Sequence, residues 1–422
     1  MTHIYVDQIS PRIKYTFEFI FGSRGLTYTL TDDTSAQVDL SYSQNSIDFP
    51  SALPMAAFML NGKVEQIAPE VSKYSVDLEC FSFNSIVDPI ASIFYLLSRY
   101  EEYICQETDE YGRFPLKESS APKNWLMKSM CDRWAEEILS LAGVNGIPQG
   151  RKVKIIPSFD IDNTYAYKLK SGKRKWMSIF KDLLKFNFNR IQERRAVLKG
   201  GENDPYDTFS KIRSVHKRFP ETKVFWLIGK WGKKDRNISI QNAEHRKLIK
   251  SLSDDGIDIG LHPSFGSFQR KETITQEKKE LESVCGKEIA LSRQHFLRFQ
   301  VSTTLSDLNS IGFTDEYSMG FAEHPGFRSG TARPHQWFDL RTNKTTELII
   351  HPFAYMDGTL REYMQLSIED SKRIIRQLYD EVNRYGGDFI FIWHNETIGD
   401  YGNWKGWSEV LDFTLSLEDE SN

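Results

Sequence analysis

From about residue 153 to the end, short apolar runs alternate with amphipathic stretches, and this repeated order constrains the fold more than any other feature of the chain. The apolar runs are VKIIPSF (153–159), KVFWLIG (223–229), IDIGLH (257–262), the stretch around HFLRF (295–299), GFTDEYS (312–318), ELIIHPF (347–353) and DFIFIWH (388–394). Between them, helical patterns are read over 208–218, 243–254, 273–285, 303–310, 368–384 and 406–417, as expected of helices with one buried face. A strand-then-helix order sustained over roughly 270 residues calls for a largely parallel sheet covered by helices. These seven candidate strands favour a (β/α) barrel, complete or missing a unit, over an open sheet. The stretch PSFDIDNT after the first strand lacks the tight-turn glycines of a dinucleotide fingerprint, which argues against a Rossmann enzyme.

The chain has 422 residues, more than one ordinary domain needs, and its first third reads differently. KYTFEFIFGSRGLTYTLTDD (14–33) alternates and is rich in aromatic and β-branched residues, a pattern that predicts strands; VDLSYSQ, AAFML and YSVDLECFSF are further strand candidates. Helices are expected from Asp88-Pro89 to about Cys105 and from Asn124 to Ala142. The Gly- and Pro-rich stretch Gly143 through Gly150 is the expected boundary, dividing a smaller α+β domain over 1–145 from a barrel over 150–422. Lys plus Arg number 54 against 58 Asp plus Glu, a formal net charge of −4, so the basic footprint of a nucleic-acid binder is missing. Cys80, Cys105, Cys131 and Cys285 form no CxxC pair and fit a reducing compartment. No apolar run approaches about twenty residues, and the start does not read as a signal peptide. A soluble, cytoplasmic protein is expected.

Polar residues stand at the C-terminal ends of nearly every candidate strand. Asp160 and Asp162 follow the first, His262 ends the third, and Arg293, His295 and Arg298 surround the fourth. Asp315 lies on the fifth, His351 near the end of the sixth, and His394, Asn395 and Glu396 close the last. In an α/β barrel these ends converge on the substrate. Two carboxylates at i and i+2 repel unless a cation separates them or one holds a proton. Imidazole with carboxylate suits Zn²⁺, Co²⁺, Ni²⁺ or Fe²⁺. The pattern therefore predicts one divalent ion held by one or both of Asp160 and Asp162, by His262 and by a third ligand. The remaining Asp would accept a proton, His394 would protonate a leaving group, and Arg293 would orient a carboxylate or hold developing charge.

Five motifs then resemble one family. SFDID (158–162), VFWLIG (224–229), DIGLHP (258–263), RQHFLRF (293–299) and FIFIWHN (389–395) are similar, in order and spacing, to the motifs of the polysaccharide deacetylases, the NodB-homology carbohydrate esterases. The resemblance spans about residues 150 to 420. It implies a distorted (β/α)7-type barrel, a divalent metal that is usually zinc, and removal of N-acetyl or O-acetyl groups from sugars. It implies Asp160 as catalytic base, Arg293 as the residue orienting that base, His394 as catalytic acid and His262 as a metal ligand. Ile161 stands where the family's metal-binding Asp follows the base, so Asp162 is expected to serve by a one-residue shift. Gly266 stands at the position of the second motif-two histidine, so a third ligand is expected elsewhere: His295, with His351 and His324 as alternatives.

The expected partner is a carbohydrate or glycan precursor, with surface-polysaccharide biosynthesis as the setting the resemblance implies. Candidate substrate contacts are Arg328 and Trp337 in the loop-like stretch 324–340, His351 and Glu396 at strand ends, and Trp404 in YGNWKGW (401–407). WGKKDRN (231–237) and the basic run KLKSGKRKW (168–176) read as solvated connectors. Two rival readings are a metal-independent glycosidase using Asp160 and Glu396, and a degenerate barrel that binds glycan without turnover.

Overall fold

A computed structural model describes residues 1–45, 51–144, 153–170 and 188–419, with positions 172, 180, 182–184 and 186 between the last two spans. Most of the predicted boundary at Gly143–Gly150 and part of the basic run 168–176 lie outside the described residues.

The N-terminal region is α+β. Strands β1 (Thr2–Val6), β2 (Tyr28–Thr31), β3 (Leu40–Ser43) and β4 (Ala52–Pro54) pair in the parallel order β2-β1-β3-β4. Strands β5 (Glu70–Lys73), β6 (Glu79–Phe83) and β7 (Ile86–Val87) form a separate antiparallel sheet. The alternating segment expected to be strand begins instead with a helix, Pro11–Ile20. Ser10 caps it by accepting from the Ile13 N–H, and Pro11 occupies its first turn, where a missing N–H costs nothing. Only Pro11, Lys14 and Glu18 are exposed along it, a three-four spacing, so the aromatics between them are core on a helix. AAFML likewise forms a short 3₁₀ turn, Ala57–Met59, rather than a strand.

The larger region is built on a mixed nine-stranded sheet. Its strands are β8 (Lys154–Ile161), β9 (Lys223–Trp226), β10 (Asp258–Leu261), β11 (Leu291–Ser292), β12 (Asp315–Glu316), β13 (His335–Asp339), β14 (Lys344–Ile350), β15 (Tyr355–Met356) and β16 (Asp388–His394). They follow the order β13-β14-β12-β11-β10-β9-β8-β16-β15, parallel throughout except for β13, which runs antiparallel to β14. The parallel run carries the strand-helix alternation expected of the (β/α)7-type arrangement. Helices Phe209–Arg218, Ala243–Asp254, Lys271–Cys285, Thr304–Ile311, Ile368–Tyr385 and Ser408–Ser416 fall where the periodicity places them, and Phe188–Leu198 is an additional one. The expected strand at 295–299 is absent: β11 stops at Ser292, and His295–Leu297 is a short turn with Phe296 at φ 62°.

The two regions are packed against each other. The N-terminal apolar core takes in Phe338 and Leu340 from the other region. Buried ion pairs cross between them, Glu102 with Arg328 at 2.6 Å and Asp132 with Arg333 at 2.7 Å, as does the half-buried pair Arg133–Glu381 at 2.6 Å. No helix among the described residues is long and apolar enough to cross a membrane.

Candidate metal centre

Register explains why one set of side chains converges. On β8, Ser158 and Asp160 share a face, and Asp162 continues it just beyond the strand. His394 ends β16 directly beside Asp160. On the far side, Leu261 of β10 pairs with Ser292 of β11, so the next residues, His262 and Arg293, leave their strands together. Four parallel strands thus deliver their terminal polar groups to one end of the sheet.

Asp162, His262 and His295 offer ligand atoms that all lie within 4.8 Å of one another. The Asp162 Oδ1 is 3.2 Å from His262 Nε2, and its Oδ2 is 3.2 Å from His295 Nε2. Both imidazoles are held from behind. His262 Nδ1 lies 2.5 Å from the Arg293 carbonyl, and His295 Nδ1 lies 2.9 Å from Asp235 Oδ1. Donation from each Nδ1–H leaves the Nε2 lone pair facing Asp162, the backing by which proteins orient metal-binding histidines. Asp162 Oδ1 is buried and has no hydrogen-bond partner among the described residues. An orphaned carboxylate oxygen between two backed imidazoles fits a divalent cation.

The electrostatics agree. Burial opposes ionisation of Asp162, but the charge and contact of His295, with the His262 imidazole 3.2 Å away, outweigh it and hold the carboxyl well below its usual range. Burial likewise opposes charge on His295, yet Asp162 and Asp235 together push it up to about 9.

Two further groups flank this centre. Arg293, fully buried, donates from Nη1 to Asp160 Oδ1 at 2.8 Å, from Nη2 to Ser158 Oγ at 2.9 Å and from Nε to the Tyr317 carbonyl at 3.1 Å. Asp160 Oδ2 lies 3.8 Å from His262 Nε2, at the edge of the cluster. On the other side, His394 Nε2 is 4.0 Å from Asp162 Oδ2, and its Nδ1 is 2.8 Å from Asp357 Oδ1. Asp357 is fully buried and also accepts from the His394 N–H at 2.9 Å and from Thr397 Oγ1 at 2.5 Å. Burial works against charge on His394, but Asp357, and then Asp162 and Asp160, hold its proton well above the ordinary range.

These groups open onto a cavity of about 640 Å³ with Tyr206, Phe296, Tyr363, Tyr401 and Trp404 on its walls. Glu396 also lines it, its carboxyl pushed up to about 7 by burial and by the nearby Asp162 charge. Three expected substrate contacts lie elsewhere. Arg328 is buried and makes a bidentate pair with Glu102 at 2.9 and 2.6 Å, so its charge ties the two regions together instead of facing a ligand. Trp337, 2% exposed, points into the core from β13. His351 stacks on Tyr317 at 4.3 Å and pairs with Asp315 at 2.7 Å; it does not line the cavity and is not a member of the ligand cluster. The stretch 324–340, read as a loop with substrate contacts, is interface and core because its arginines find buried acids of the N-terminal region. Asp357 and Asp235 went unpredicted: the first follows a two-residue strand too short to show a pattern, and the second sits in WGKKDRN, whose charges resemble an ordinary turn.

Residues 2–142 match the model of a family of unknown function, DUF7033. No curated protein matches the chain. Among solved structures, the chain is similar to a candidate polysaccharide deacetylase from Mycobacterium smegmatis, at 13% identity and TM-score 0.41, over 64% of this chain and 87% of that one. It is similar to a mutant of BA3943, a CE4 family pseudoenzyme with restored enzymatic activity, at 9% identity and TM-score 0.31, over 64% of each chain. A 4-alpha-glucanotransferase from Thermococcus litoralis is similar at 14% identity and TM-score 0.36, over 64% of this chain and 38% of that one. All are distant likenesses.

Proposed function

We propose that the chain is a metal-dependent hydrolase that removes an acyl group, acetyl above all, from a carbohydrate. The observation that carries this is the Asp162–His262–His295 cluster set between a carboxylate held by arginine and a histidine held by aspartate. Asp162, His262 and His295 would hold one divalent ion, with zinc the expected occupant of a two-nitrogen, one-carboxylate set. When bound, such an ion supplies Lewis-acid polarisation and makes water more acidic.

The chain's own residues supply the proton transfers. Asp160 accepts the proton of the attacking water, its carboxylate aimed by the Arg293 guanidinium. His394, kept protonated by Asp357, gives its proton to the departing amine or alkoxide. Tyr206, Tyr401 and Trp404 offer flat apolar faces for a sugar ring, and Glu396 a hydrogen-bonding group beside them. Residues 150–422 would form the catalytic unit and 1–145 the accessory one. A glycosidase using Asp160 and Glu396 gives the histidine cluster nothing to do, which is why the hydrolase reading is preferred.

The test is acetate release from a panel of N- and O-acetylated mono- and oligosaccharides. Release that requires added Zn²⁺ or Co²⁺, stops with chelator and is lost in Asp160→Asn is the expected result. Glycosidic cleavage without metal, or no turnover of any acetylated sugar by metal-loaded protein, would reject the proposal.

A further inference from the structure

One wall of the cavity comes from the N-terminal region. Arg113 lines it, far in sequence from every other lining residue, the nearest of which is Asp160. It sits in a closed turn: the Asp109 N–H donates to the Arg113 carbonyl, the Gly112 N–H to the Asp109 carbonyl, each at 2.9 Å. Asp109 Oδ1 accepts from the Tyr111 and Arg113 N–H groups, and Oδ2 from Arg113 Nε at 2.6 Å. Gly112 turns the chain at φ 80°, in the left-handed region that favours glycine.

What the turn grips is the segment just after His295. Arg113 Nη1 donates to the Phe296 carbonyl at 3.0 Å. Arg298 returns the contact, its Nε donating to the Tyr111 carbonyl at 2.5 Å. The Tyr111 ring packs on Phe296 with centroids 5.4 Å apart, and Lys234 lies over both rings at 4.7 and 5.2 Å. Phe296 and Leu297 have φ of 62° and 51°, a left-handed pair that side-chain-bearing residues adopt only when their surroundings impose it. The turn from the other region supplies part of those surroundings, beside Phe265 on the Phe296 ring at 5.4 Å and the apolar cluster that holds Leu297.

We propose that the Asp109–Arg113 turn is a positioning element of the metal centre, fixing the strained segment after His295 so that His295 Nε2 faces Asp162. This rests on the reading of Asp162, His262 and His295 as ligands. It gives the N-terminal region a role in the site: the region supports the segment that carries the third ligand, His295, without supplying a ligand itself. Arg113 is suited to this because its rigid planar fork sets separate donors, Nε and Nη1, on a carboxylate and a carbonyl at fixed spacing, which the compact ammonium of lysine does not reproduce.

The experiment is Co²⁺ titration of the chelator-stripped full chain, read by dissociation constant and by the visible absorption of the bound ion. Arg113→Met and Arg113→Lys should each weaken cobalt binding by about 10–100-fold, the usual effect of losing support behind a ligand, and alter the spectrum. Asp109→Asn, which keeps the turn's size but not its charge, carries the comparison if an Arg113 variant does not fold. Arg133→Met is the control, since it breaks the Arg133–Glu381 pair between the regions away from the cavity and should bind cobalt as the wild type does. Wild-type affinity and spectrum in the Arg113 and Asp109 variants would overturn the proposal while leaving the ligand assignment standing. Equal weakening in Arg133→Met would also overturn it, by reducing the effect to loose docking. No binding to the wild type would remove the ligand assignment, and this inference with it.

Discussion

Replacing Arg293 with methionine should isolate the interaction on which the proposed base depends. The Arg293 side chain is 0% exposed and that of Asp160 4%, so both charges are largely withdrawn from bulk water. Methionine keeps much of the volume and the contact with the Phe225 ring, over which the guanidinium lies at 4.2 Å, but removes every donor. The Asp160 carboxylate then loses its 2.8 Å partner, and the Tyr317 carbonyl and Ser158 hydroxyl lose theirs. Breaking a buried pair by removing one member costs about 3–5 kcal/mol, because the other charge stays buried. With an unfolding entropy of about 2.1 cal/mol/K per residue, a chain of 422 residues loses about 3–6 °C in Tm for that change. The assay is calorimetric or fluorescence-detected melting in chelator, run on Arg293→Met, Asp160→Asn and the double variant. If the argument is right, the double variant is more stable than Arg293→Met alone, since it no longer buries an unpaired carboxylate. A shift below about 1 °C in Arg293→Met, or strict additivity of the two single changes, would refute it.

Other consequences are open to test. Asp357→Asn keeps the size of the buried group but removes the charge that holds the proton on His394; acyl release should fall about 10–100-fold while metal content stays unchanged, measured by turnover beside elemental analysis. His245 makes the fold acid-sensitive: burial lowers its pKa from 6.5 to about 4, its Nε2 accepting from the Trp226 indole at 2.9 Å. Its stabilising share is fully present above the unfolded value near 6.5 and is lost as pH falls toward about 4, about 3 kcal/mol in all. Melting curves of the wild type and His245→Gln between pH 7 and 4.5 should show a smaller pH slope in the variant.

The sequence was most informative where periodicity and strand ends coincide. Asp160, Asp162, His262, Arg293 and His394 are each adjacent to an apolar run whose direction is dictated by parallel pairing, so their convergence follows from the alternation itself. His295 was legible as a candidate but not its backing, because Asp235 reaches it across 60 residues from a charged loop. Helix Pro11–Ile20 was misread because aromatic and β-branched residues dominate it; the Ser10-Pro11 cap was the overlooked signal. Arg328 and Trp337 were misplaced because an Arg- and Gly-rich stretch looks the same whether it lines a cleft or docks on acids of another region. Pairing over more than two hundred residues, as between Glu102 and Arg328, leaves no local trace.

Metal content tests the central claim most directly. Protein purified without chelator or metal-binding tag should carry close to one equivalent of zinc or a similar divalent ion, by elemental analysis. That ion should be lost in Asp162→Ala, His262→Ala and His295→Ala but kept in His351→Ala, whose imidazole lies outside the cluster. Protein that takes up no stoichiometric metal from Zn²⁺, Co²⁺ or Ni²⁺, or a His295→Ala variant that binds as tightly as the wild type, would contradict it.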